Sequence, residues 1–261
     1  MDILEAQVNA QRAKRAHALA TIVKADGATP RGVGSKMLVF EDGSIFGSIG
    51  GGILEKQVIG DAVKCLMSNE SALSEYENRD EGDESPLGVI KVFIEPKRGA
   101  PELIVCGAGH VGGCLIRLAS TLGYRITALD TRDTEITHEN VKQADQFILV
   151  DNFYNGVRAL EERPRAYYLI STYGHIQDGE ALSAVLEKDA QYIGMTGSPP
   201  KIAAILNRMR DVGYSEERLA FIHAPVGLDI GGETPAEIAV SIMAEIQMIR
   251  YGGTGYSLRG K

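Results

Sequence analysis

The sequence predicts an α/β protein: a small α+β N-terminal domain followed by a Rossmann-like parallel sheet with helices on both faces. Three observations predict it. After about residue 100, strand-like and helix-like runs alternate regularly, the pattern of a parallel sheet covered on both faces. A Gly107-x-Gly109-x-x-Gly112 turn joins the first of these strands to its helix. Before it, "PKRGAP" (96–101) reads as a linker, and the pattern upstream of it is mixed. The expected division is residues 1–98, 99–253 and a frayed tail, 254–261.

Taken in order, residues 2–16 read as a helix with a thin apolar face of Ile3, Leu4, Val8 and Ala16. "LATIVKA" (19–25) is strand-like, and "DGATPRGVGS" is loop. "KMLVFEDGSIFGS" reads as a hairpin turning at Asp42-Gly43, a favoured two-residue turn. After Gly50–Gly51–Gly52, the residues Ile53, Leu54, Val58, Ile59, Ala62, Val63 and Leu66 recur at helical spacing. The acidic stretch 68–86 reads as loop with one short strand, and "GVIKVFIEP" (88–96) as a strand. Beyond the linker, strands are expected at "ELIVC", "RITALD", "DQFILVD", "AYYLIST" and "AQYIGMTG". Helices are expected at 110–122, 155–162, 177–188 and 199–212. The last helix starts in "TPAE", where Thr234 and Glu237 have capping-box spacing around Pro235.

The 261 residues suffice for two domains with real cores, and the formal charge of −8 argues against nucleic acid and an anionic membrane as partners. The N-terminal residues are amphipathic and charged, unlike a signal peptide. No apolar run approaches the roughly 20 residues of a membrane helix. Cys65, Cys106 and Cys114 show neither disulfide nor zinc spacing, so a reduced cytoplasmic protein is expected.

The second glycine junction carries the clearest chemistry. Gly107 permits a tight turn, Gly109 lets backbone approach a pyrophosphate, and Gly112 lets helix pack on strand. His110 and Val111 open the helix whose free N–H groups favour phosphate. Asp130 closes the next strand, where a carboxylate takes ribose hydroxyls. Arg132 can hold a 2′-phosphate, but Asp130 would repel one, so the reading is NAD-type rather than NADP-type. The alternative is a turn that binds nothing. Thr172, Gly174 and His175 end one strand, and Gly197 and Ser198 the next, on the crevice side of such a sheet. His175 reads equally as an acid/base or a loop histidine, and His110 as a ligand or a first-turn polar residue. No metal spacing and no nucleophile elbow appears.

"ATIVKADGATPRGVGSKMLVFEDGSIFGSIGGGILE", "VCGAGHVG", "IGMTGSPPK" and "HAPVGLDIGGETPAEIAVSIMAEI" resemble the xanthine dehydrogenase accessory factor (XdhC/CoxI) family over nearly the whole chain. The resemblance implies a small N-terminal domain on a Rossmann-like one, usually dimeric. It also implies an assembly factor, not an enzyme. Such a factor binds molybdenum cofactor (molybdopterin) as cargo and delivers it to a molybdenum hydroxylase client, with a cysteine desulfurase as a further partner. Under it, the N–H groups of Gly50, Gly51 and Gly52 would cradle a phosphate, aided by Arg31, Ser35 and Lys36. Glu55 would cap the helix or bond a pterin amine, and Ile53 would pack beneath the turn. The competing reading is a packing glycine run. The sequence departs from the family at two cysteines. Ile53 stands after the glycines, and the Cys-Gly-Gly of the family just before "VFIEP" is missing, so a sulfur-carrying role is not expected. An NAD(P)-dependent oxidoreductase and a nucleotide-sensing regulator are the alternatives.

Overall fold

The computed structural model describes residues 2–78, 87–163 and 165–259. The chain divides into two units, Met1–Ala100 and Pro101–Lys261.

The first unit is an antiparallel sheet in the order β3-β2-β1-β5-β4. Its strands are β1 (His17–Gly27), β2 (Lys36–Phe40), β3 (Ile45–Gly47), β4 (Ala72–Asn78) and β5 (Gly88–Lys97). Strand alternation sends Ile22, Met37, Val39, Ile90 and Val92 to one face, under Leu54, Val58 and Ala62 of α2 (Gly52–Ser68). Leu19 and Leu38 go to the other face, under Ala6 of α1 (Ile3–Arg12). Helix α1 starts at an Asp2–Glu5 capping box and stops before the expected end, where Lys14 turns left-handed at φ 54°. The hairpin turn is longer than its Asp42-Gly43 signal implied. Residues 41–44 join the strands, with Asp42 accepting the Ser44 N–H at 3.0 Å. The acidic stretch yields a full strand, β4, because it pairs with β5 from Ala72↔Ile94 to Asn78↔Gly88. The rest of that stretch, 79–86, lies outside the described residues.

The second unit is a parallel sheet in the order β11-β10-β9-β6-β7-β8. Its strands are β6 (Glu102–Cys106), β7 (Arg125–Asp130), β8 (Gln146–Leu149), β9 (Ala166–Ile170), β10 (Ala190–Met195) and β11 (Ile222–His223). Leu103 and Val105 pack against α3 (His110–Thr121) and α9 (Pro235–Tyr251). Ile104 and Cys106 pack with α5 (Phe153–Arg158), α6 (His175–Val185) and α7 (Pro199–Asp211) on the opposite face. Helix α9 begins at the Thr234–Glu237 capping box. Two short helices, α4 (Glu135–Asn140) and α8 (Glu216–Ala220), and strand β11 carry too few apolar residues to announce themselves. Strand order reverses between β6 and β9, so the loops after these two strands part and open a crevice. Among the described residues no helix is long and apolar enough to cross a membrane, and no His/Cys/Asp/Glu group could hold a metal ion.

Candidate functional site

The glycines of the second junction divide into two kinds. Gly107 sits at φ +107°, and a Cβ there would lie 2.2 Å from the Ser171 carbonyl oxygen. A Cβ on Gly112 would lie 2.1 Å from the Gly107 carbonyl, so this glycine seats α3 on the turn. Gly109 is different. It caps α3 at φ −70°, and its missing Cβ would meet only the Arg132 guanidinium, 3.7 Å away. The space over it is a cleft of about 470 Å3, lined by Gly109, His110, Val111, Arg132, Thr172 and Tyr173 among others. It lies where the loops after β6 and β9 part.

Asp130 ends β7 as expected, but its carboxylate does not face the cleft. The side chain is 1% exposed. One oxygen accepts the Ala108 N–H at 2.7 Å and Arg132 Nη2–H at 2.8 Å. The other accepts the Arg132 backbone N–H and Nε–H, both at 2.9 Å. The sequence reading put Asp130 on ribose hydroxyls; the geometry instead commits both oxygens within the chain. Burial raises the Asp130 pKa, yet the Arg132 and Ala108 bonds outweigh it and hold the carboxyl below its usual range. The same pairing raises Arg132. The cation, not the carboxylate, therefore lines the cleft. Beside it Tyr173 is 85% exposed, with its ring centre 5.7 Å from the guanidinium carbon.

The other expected crevice residues separate. The Thr172 hydroxyl is 2.5 Å from Asp178 Oδ1, which also accepts the Thr172 N–H at 3.0 Å. Asp178 is fully buried and ion-paired with Lys201, so this network fixes the loop after β9. Gly174 and His175 line a neighbouring cleft of about 440 Å3 with Asp151 and Glu180, and Tyr173 borders both clefts. Gly197 packs near Ile202, and Ser198 caps α7 without a side-chain bond. Neither lines the two clefts.

The first glycine junction departs most from expectation. Glu55 Oε2 accepts the Ser48 hydroxyl at 2.7 Å and the N–H groups of Ile49 at 3.1 Å and Gly51 at 3.2 Å. The Gly50 N–H is bonded to Ser48 Oγ at 3.1 Å. Of the expected phosphate cradle of Gly50, Gly51 and Gly52 N–H groups, the chain's own side chains thus take two, Gly51 by Glu55 and Gly50 by Ser48. Through Oε2, Glu55 thus binds the N–H of Gly51, the residue that precedes α2. Lys36 shares the α1 face of the sheet with Leu38 and bonds Thr21 at 3.0 Å, whereas the junction opens α2 on the other face. Arg31 is exposed, and Arg31, Ser35 and Lys36 are all absent from the lining of the junction's cleft. That cleft, about 810 Å3, is bordered by Gly50, Gly51, Gly52, Gln57, Glu75 and Glu77. Glu75 at this border is ion-paired with Lys91 at 2.5 Å. Ile53 is 57% exposed and lines the same cleft, so it does not pack beneath the turn.

Two of the three thiols, Cys65 and Cys106, are poorly placed for sulfur chemistry. Burial pushes Cys106 up to about 12 and also raises Cys65. Cys114 is half-buried, and its Sγ accepts from Arg117 at 3.1 Å.

With the geometry in place, comparison with known proteins is decisive for ancestry. The XdhC Rossmann domain model matches residues 103–246, more than half of the chain. The XdhC and CoxI family model matches residues 10–77. The chain belongs to the XdhC/CoxI family. YqeB of Escherichia coli (strain K12) is 35% identical over 242 residues, 91% of this chain and 44% of YqeB. A probable xanthine dehydrogenase subunit of Bacillus subtilis (strain 168) is 31% identical over 158 residues, 60% of this chain and 44% of that protein. The alignments thus span less than half the length of these curated XdhC/CoxI relatives. A crystal structure described as a xanthine dehydrogenase from Bacillus halodurans aligns over 100% of this chain and 98% of its own, with TM-score 0.52 and 21% identity. That likeness shows the shared fold.

In this XdhC/CoxI chain the sequence did not foretell the part played by Tyr173 or the inward turn of Asp130. The only signal for the latter was Arg132 two residues after a strand-ending acid.

Proposed function

We propose that this XdhC/CoxI chain is an accessory factor for a molybdenum hydroxylase of the xanthine dehydrogenase type. It holds a phosphorylated molybdopterin cofactor in the cleft over Gly109 and passes it to the client enzyme. The observation that carries this reading is the open, uncapped Gly109 at the start of α3, beside a buried-braced arginine. Free N–H groups at a helix start and a guanidinium suit a phosphate. The exposed Tyr173 ring offers a stacking face for a flat heterocycle.

The residues of this cleft fit such a cofactor, whereas at the first glycine junction the Gly51 N–H is already engaged by Glu55. The cofactor supplies the molybdenum centre used later by the client. The chain's own part is to bind and orient it through Gly109, His110, Arg132 and Tyr173, as a homodimer. Cys65 and Cys106 are buried and are not placed to carry sulfur. The cofactor arrives mature, or a separate cysteine desulfurase acts on it while bound. The oxidoreductase reading loses support because His175, its intended proton donor, lines the neighbouring cleft.

The test is transfer. The chain is loaded with molybdopterin and mixed with a cofactor-free molybdenum hydroxylase, and the cofactor bound to each protein is measured. Faster loading of the client than from free cofactor supports the reading. Equal rates with and without the chain reject it.

A further inference from the structure

We infer that Arg132, positioned by Asp130, makes the Gly109 cleft selective for a phosphomonoester over a free sugar diol. The inference rests on reading this cleft as the ligand site, but not on which cofactor occupies it.

A dinucleotide-type site reads the ribose edge in one of two ways. A carboxylate facing the ligand bonds the hydroxyls, or an arginine takes a phosphate there. Here, among the described residues, no Asp or Glu lines the cleft, and Arg132 is its only Lys or Arg. Asp130 stands behind the arginine, bonded to Nε and Nη2 in a fork and tied to the turn through Ala108 N–H. The fork uses the Nε–H and one Nη2–H. The Nη1 donors and the second Nη2–H remain for a ligand. Nη2 lies 3.7 Å from where a Gly109 Cβ would be, so the cation stands beside the helix start that favours phosphate. Asp130 is therefore a positioning residue. Its charge is satisfied by the fork and the Ala108 N–H, so it does not act as a bare anion toward a phosphate. A sugar diol finds no carboxylate acceptor among the described residues of this cleft. The neighbouring cleft has the opposite character, with Asp151 and Glu180 in its lining.

Two sources carry the required group: the 2′-phosphate of an adenosine dinucleotide and the terminal phosphate of molybdopterin. Titration of the full chain compares NADPH with NADH, and molybdopterin with its phosphatase-treated form. The phosphorylated member of at least one pair should bind about tenfold tighter, the scale of one charge-assisted hydrogen bond. R132Q should reduce that ratio to about twofold or less while leaving the unphosphorylated member unchanged. R132K, which keeps the charge but not the fork, should retain part of the ratio, and thermal melting checks the fold of each variant. D130N should weaken only the phosphorylated member. Equal or absent binding in both pairs overturns the inference, as does a D130N loss confined to NADH. A preference for NADPH with no molybdopterin binding keeps this inference and removes the cofactor reading. Molybdopterin binding that ignores its phosphate does the reverse.

Discussion

Glu55 Oε2 accepts the Gly51 N–H at 3.2 Å, so the first glycine junction carries its own anion. Helix α2 begins there with no side-chain cap from Gly51 itself. A carboxylate in its first turn ties the preceding N–H groups of Ile49 and Gly51 to the helix and favours the helix dipole. The two glycine-rich junctions of this chain are therefore unlike. At one, a glutamate of the following helix binds the Gly51 N–H; at the other, Gly109 lines a cleft beside Arg132.

Glu55→Ala should destabilise the first unit by about 1–3 kcal/mol, because Ser48, Ile49 and Gly51 lose a shared acceptor. Urea unfolding followed by circular dichroism measures it. Wild-type stability within error of the variant would mean that water replaces the carboxylate at no cost.

The same group predicts a pH dependence. Burial raises the Glu55 pKa, but the bonds from the Ser48 hydroxyl and the Ile49 and Gly51 N–H groups outweigh it and leave it depressed. A depressed folded-state value means stability is present above the unfolded carboxylate pKa and is lost as pH falls through the folded one. Glu245 is lowered too, where burial is outweighed by bonds from His223, Tyr192 and Gly227. Melting temperature should fall on acidification below about pH 4.5, with a shallower fall in Glu55→Gln. An unchanged acid profile in that variant would remove Glu55 from the account.

Gly107→Ala and Gly109→Leu should behave oppositely. The first forces a Cβ to 2.2 Å from the Ser171 oxygen at a positive φ, and should unfold the second unit or lower its melting temperature sharply. The second adds bulk to open space at an ordinary φ and should leave the melting temperature nearly unchanged. Differential scanning fluorimetry separates them. Equal destabilisation would contradict the division of the glycines into seating and ligand-facing kinds.

Tyr192→Phe tests the C-terminal end of the sheet. The Tyr192 hydroxyl donates to Glu245 at 2.5 Å, and the same carboxylate oxygen accepts the Gly227 N–H at 3.1 Å. Losing one donor to a buried carboxylate should cost about 1–3 kcal/mol. Chemical unfolding that matches wild type would show that Gly227 and His223 satisfy Glu245 without the tyrosine.

In the folded chain, iodoacetamide should label Cys114 well before Cys65 and Cys106. The latter two are buried with raised pKa, which keeps them as unreactive thiols. Peptide mass mapping over time reads the order. Early labelling of Cys65 would reopen a sulfur-carrying role for the first unit.

The sheet of the second unit was legible because buried parallel strands leave continuous apolar runs, as in "LIVC" and "YYLI". The glycine turn was legible because close approach leaves no other residue type at Gly107 and Gly112. Strand β4 was underestimated because only Tyr76 of its residues is fully buried, so pairing with β5, not hydropathy, forms it. The site was harder to read. Whether a strand-ending acid faces a ligand or a neighbouring arginine depends on one side-chain rotation, and Asp130 has no local pattern that reports it. Glu55 could be read as a cap from its place in the first turn, but not that Glu55 and Ser48 would take the N–H groups of Gly51 and Gly50.

The most direct test of the cofactor-binding claim is titration of purified molybdopterin into wild-type chain and Gly109→Leu, with bound cofactor measured after gel filtration. Saturable binding to the wild type, lost in a folded Gly109→Leu, is the expected result. Binding that survives unchanged in Gly109→Leu, or no binding to the wild type, would contradict the claim that the cleft over Gly109 holds the cofactor.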